Sequence, residues 1–67
     1  MPADSNSLTL LTPPELARLL RISIPGVYRL VEKRELPVYR IRRSLRFREA
    51  DVAEYLKRQR VEPVGLQ

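Results

Sequence analysis

LTPPELARLLRISIPGVYRLVEK, residues 11–33, reads as two short helices with a tight turn between them. Thr12 stands where an N-cap is needed. Pro13 follows at the first helical position, where a missing N–H costs nothing, and Glu15 lies three residues after the cap, so Thr12 and Glu15 fit a capping box. Leu16, Leu19 and Leu20 repeat at the i, i+3, i+4 spacing and predict one apolar face, with Ala17 small enough to let a second helix approach. The first helix is expected over 13–20. Arg21 and Ile22 make the turn, Ser23 is the next N-cap candidate, and Pro25 falls in the first turn of a second helix expected over 24–33. Val27, Leu30 and Val31, with Ile22 before them, predict its buried side. Gly26, Arg29, Glu32 and Lys33 fall on the polar side, with Tyr28 at the boundary.

Outward from this unit the period changes. In the segment 38–48, Tyr39, Ile41, Leu45 and Phe47 alternate with Arg40, Arg42, Arg46 and Arg48, which predicts two strands that each have an apolar and a cationic face. Pairing Ile41 with Leu45 and Tyr39 with Phe47 would put apolar residues on one side and leave a three-residue loop, Arg42 to Ser44. That register sets Arg40 against Arg46, an opposition of like charges that an anion would relieve. Glu49 then opens a third helix with Glu49 and Asp51 in its first turn and Lys57, Arg58 and Arg60 in its last, matching the helix dipole at both ends. Val52, Tyr55 and Leu56, assisted by Ala53, are its expected core face. The expected organisation is an N-terminal arm over 1–7, one domain over 8–60 and a loose tail over 61–67. The fold class is mainly α: three helices plus a two-stranded antiparallel hairpin.

Composition narrows the function. Thirteen Lys and Arg against eight Asp and Glu leave +5 on 67 residues, with a pI near 10.5, a balance that favours a polyanionic partner such as nucleic acid or an acidic membrane surface without choosing between them. A chain this short buries only about 60% of its unfolded surface and should be stable by about 5 kcal/mol. There is no Cys and no His, which removes disulfides, the usual zinc ligands and the commonest general base. No metal or cofactor is expected. Glu15, Glu32, Glu35, Glu49, Asp51 and Glu54 are accounted for by caps, helix ends and solvated faces, with no Gly-rich phosphate loop and no activated nucleophile. An enzyme is not expected. Apolar runs too short to span a bilayer and an MPADSNS start unlike a signal peptide give the expectation of a cytoplasmic protein that does not engage membranes.

Two short helices at a three- to four-residue turn form the unit whose second member fits a major groove. The residues expected to contact duplex DNA are Ser23, Pro25, Gly26, Tyr28, Arg29 and Lys33 on the second helix. In the hairpin they are Arg40, Arg42, Arg43, Ser44 and Arg46, with Arg42 and Arg43 at the tip. The arginines can each bind phosphate through two parallel N–H donors. A different class of reading has the basic hairpin docking an acidic protein partner. RNA is disfavoured, because Tyr28, Tyr39 and Phe47 lie in core or boundary phases and form no stacking platform.

The strings LLTPPELARLLRIS and GVYRLVEKRELPVYRIRRSLRFREADVAEYL resemble the excisionase-type DNA-binding domain, a winged helix-turn-helix related to the DNA-binding part of MerR-like regulators. The resemblance covers about Leu10 to Leu56. Its most specific parts are LTPPELARLL, VYRLV for the recognition helix, and LPVYRI with LRFRE for the wing. It implies duplex DNA as ligand, and as partner a site-specific recombinase (integrase) or further copies of the chain on DNA. It also implies a role as a recombination directionality factor or as a transcriptional regulator. The chain departs from many relatives at Gly26, where they have a polar residue, and at Arg34 and Arg42, where they have glycine. Gly26 is expected to cost the helix about 1 kcal/mol relative to alanine, and Arg34 to adopt a positive φ.

Overall fold

The computed structural model describes residues 8–63. The expected arm over 1–7 and the last four residues of the expected tail lie outside them. Strand β1 (Leu10–Leu11) leads into helix α1 (Pro13–Leu20) and helix α2 (Ile24–Glu32). Strands β2 (Tyr39–Ile41) and β3 (Ser44–Arg48) form a hairpin, and helix α3 (Glu49–Gln59) follows β3 directly.

The helix starts follow from local chemistry. The Thr12 hydroxyl accepts from the Glu15 N–H at 3.2 Å and a Glu15 carboxylate oxygen accepts from the Thr12 N–H at 2.9 Å, completing the capping box. Ser23 Oγ accepts from the Gly26 N–H at 3.0 Å and starts α2. Each such cap contributes about 1 kcal/mol. Both helices also end alike. Arg21 (φ 60°) and Arg34 (φ 58°) turn left-handed, and the next N–H reaches back five residues, Ile22 to the Ala17 carbonyl and Glu35 to the Leu30 carbonyl, both at 3.0 Å. These are Schellman bonds.

Leu16 from α1, Val27 from α2, Phe47 from β3 and Val52 from α3 are the largest fully buried side chains, so each main element contributes one, and Ala17 and Leu36 complete the core. Of the helix and turn residues expected there, Ala53 and three larger ones are exposed. Leu19 is 56% exposed, Leu56 47% and Ile22 41%. The core side of α1 runs through Pro13, Leu16, Ala17 and Leu20; at 100° per residue Leu19 falls about 110° from its centre. In α3 the inward stripe is Asp51, Val52 and Tyr55, which leaves Leu56 and Ala53 on the outside.

The sheet corrects the expected hairpin in two ways. It has three strands, antiparallel, in the order β1-β3-β2, so Leu10 and Leu11 add a strand to the two expected. The register is also shifted by one residue: Tyr39 faces Arg46, Arg40 faces Leu45 and Ile41 faces Ser44, across a two-residue turn at Arg42 and Arg43. Arg42 takes φ 60° and supplies the positive φ that a tight hairpin needs at its first central position. Continuing this register sets Val38 opposite Phe47, while Leu11 faces Phe47 from the other side. Leu11 and Val38 are both packed on the core. Phe47 is thus flanked by aliphatic side chains on both neighbouring strands, and Arg40 no longer opposes Arg46, which removes a like-charge pair. The consequence is that Tyr39 and Ile41, expected inside, are 42% and 49% exposed.

Hydrogen bonds tie α3 to the rest. The Glu49 N–H donates to the Thr9 carbonyl at 3.1 Å, and Arg58 Nη2 donates to the Glu35 carbonyl at 2.9 Å. No helix among the described residues is long and apolar enough to cross a membrane.

Candidate nucleic-acid interface

The start of α1, the side of α2 and the hairpin meet at a cleft of about 510 Å³, lined by Thr12, Pro13, Pro14, Tyr28, Arg40, Arg43, Ser44, Leu45 and Arg46. Tyr28 reaches it from α2, where it is 44% exposed. Arg40 reaches it because the shifted register pairs it with Leu45 at the open end of the sheet, beyond Phe47. Arg46 lies along its own strand, with Nη1 donating to the Leu45 carbonyl at 2.8 Å.

The helix N-terminus beside the cleft adds no free backbone donor from its first residues. Pro13 and Pro14 have no N–H, and those of Thr12 and Glu15 are held in the capping box. Donors for an anion therefore come from the guanidinium groups. Glu15 is the nearby acid, and its pKa is held below the ordinary 4.5, chiefly by the hydrogen bonds from Thr12 and to a smaller extent by the positive charges of Arg18 and Arg46. It stays ionised and committed to the cap.

Five of the eleven residues expected at the interface share this cleft: Tyr28, Arg40, Arg43, Ser44 and Arg46. The other six are not among the residues that line it. Ser23 and Pro25 sit at the start of α2, with the Ser23 hydroxyl occupied as the cap. Arg29 lies exposed in the last turn, Lys33 caps the helix end, and Arg42 forms the hairpin turn. Gly26 has a packing reason for its identity: a Cβ there would lie 3.2 Å from Ser23 Oγ and 3.5 Å from Ile22 Cδ1. Thr12, Pro13 and Pro14 were not singled out for the interface. Thr12 and Pro13 are explained locally as the start of α1, and only the approach of the hairpin gives them and Pro14 a second surface.

Charge is distributed unevenly. From residue 8 to residue 47 there are nine Lys and Arg against three Glu, net +6; from residue 48 onward there are four of each sign, net zero. Among the described residues the ion pairs are Arg48–Asp51, Glu54–Lys57 and Arg60–Glu62, all in the second group. None of the nine cations from Arg18 to Arg46 forms an ion pair among the described residues.

A charge-rich, unpaired surface on two capped helices and a hairpin is the arrangement of a helix-turn-helix DNA-binding protein. Residues 10–60 match the family model described as "Helix-turn-helix domain", and the chain belongs to that DNA-binding family. No curated protein and no solved structure gives a significant match.

Proposed function

We propose that the chain binds double-stranded DNA sequence-specifically. Helix α2 enters the major groove, and the β2–β3 hairpin acts as a wing on neighbouring phosphates or in the minor groove. Arg29 and Lys33 reach base edges or phosphates, Tyr28 packs on the sugar–phosphate backbone, and Arg40, Arg42, Arg43 and Arg46 bind phosphate. The observation that supports this most directly is the shared cleft: Tyr28 of α2 and three hairpin arginines line one surface, so groove and flanking strand can be met together.

A unit of this size covers one short half-site, and useful specificity then comes from further copies on the DNA or from a second protein. The excisionase-type resemblance makes a recombinase that second protein and the chain a recombination directionality factor. A small intracellular transcriptional regulator has the same surface requirements. The function is binding rather than catalysis.

Titration of a random-sequence duplex against salt tests the electrostatic part. Neutralising about five phosphates predicts a log–log slope of about −4 to −5. No binding at low salt, or a slope near zero, would favour an acidic protein as the partner of the hairpin. Selection of bound duplexes from a random pool then reads the motif and half-site spacing, and addition of a candidate recombinase separates the two roles.

A further inference from the structure

Among the described residues, three non-glycine residues have positive φ: Arg21, Arg34 and Arg42. All three are arginine and all are exposed. Left-handed backbone disfavours any residue with a Cβ, and glycine is the residue that ordinarily closes a helix with the five-residue back-bond seen after Arg21 and Arg34. Gly26, the one glycine among the described residues, lies inside α2 instead. The hydrogen bonds at both helix ends are made by backbone N–H groups, so glycine would serve them equally well. Neither guanidinium has an acidic partner among the described residues. A long cationic side chain at a position that disfavours it, and that contributes nothing to the core, points to a task outside the chain.

The placement indicates which task. Arg21 and Arg34 stand just beyond opposite ends of α2, a helix of nine residues. At 1.5 Å per residue it is about 13.5 Å long, close to the roughly 12 Å width of the major groove. We propose that Arg21 and Arg34 are phosphate-contacting residues at the two ends of the recognition helix, one for each wall of the groove, kept as arginine despite the strain. This rests on the DNA-binding reading above and adds two residues to it.

The test uses R21G, R34G, R21K and R34K in the full chain, with thermal melting and duplex titration against salt. Each glycine variant should melt about 4 °C or more above the parent, because the strain is relieved. It should also bind a random-sequence duplex about eight-fold more weakly at 0.1 M salt, with a slope shallower by about 0.9. The lysine variants should keep the parent slope. Glycine variants that melt higher but bind with unchanged affinity and slope overturn the proposal, as do glycine variants that melt lower, which would make the arginine a structural part of the helix end. If the parent chain itself shows no salt-dependent duplex binding in the same titration, the DNA-binding reading fails with it. If the parent binds and the glycine variants match it, only the role of these two residues fails.

Discussion

The stretch from Thr12 to Arg46 and the stretch from Arg48 to Glu62 have similar helix-forming chemistry but opposite treatment of charge. From Arg48 through α3 and the residues after it, each sign is present in equal number, and the three ion pairs among the described residues all lie there. From Arg18 to Arg46, nine cations form no ion pair among the described residues, and three arginines occupy backbone that disfavours them. Surface pairs are worth only about 0–1 kcal/mol each, so the pairing in α3 is not what holds the fold. The difference is rather that the first region is left electrostatically unfinished. An anion can finish it; α3 serves as the neutral support.

The largest effect is expected where the two regions join. Phe47 is fully buried, between Leu11 on β1 and the residue Val38 leading into β2, with Val52 of α3 in the same core. Phe47→Ala should cost about 3–5 kcal/mol, comparable to the whole stability of a domain this size, and chemical denaturation should find the variant largely unfolded. Survival of either region alone would break the view that they share one core.

Next is a paired comparison of charge. R40A/R43A should make duplex binding roughly 60-fold weaker at 0.1 M salt and the slope shallower by about 1.8, whereas K57A/R60A, removing the same charge from the other region, should leave the slope within error. Equal losses would show that net charge alone matters. Thr12→Ala removes the hydroxyl from the capping box and should cost about 1 kcal/mol, read as a lower denaturation midpoint.

The smallest effect is a pH dependence. The Glu15 pKa is lowered in the folded chain, so the unfolded chain holds the proton more tightly. The stabilisation is present above the ordinary glutamate pKa and is lost as pH falls through the lowered folded value. Melting temperatures of the parent and Glu15→Gln should therefore converge on acidification through that window and separate above it.

Much of this was legible in the residues. Caps and prolines are short-range devices, and Thr12, Glu15, Ser23 and Pro25 placed the starts of α1 and α2 where the structure has them. The end of α1 at Leu20 and the positive φ of Arg34 were also as expected, while α2 and α3 each ended a residue earlier than the spacing predicted. The hairpin was legible as two strands but not in register. Alternation shows which residues share a face without showing which face is covered, and Val38, just before the strand, rather than Tyr39, proved to be the partner of Phe47. Leu10 and Leu11 were opaque for a related reason: two residues have no measurable period, and they become a strand only because the β3 edge is available to pair.

By itself the sequence determined the helices, the cationic character and the helix-turn-helix family, because these depend on neighbours within a few positions and on totals that no folding can alter. Tertiary structure decided the third strand, the sheet register and the cleft where Thr12, Tyr28 and Arg40 meet. Those depend on which of several competing surfaces the Phe47 side chain covers, a choice made only when distant segments are packed together.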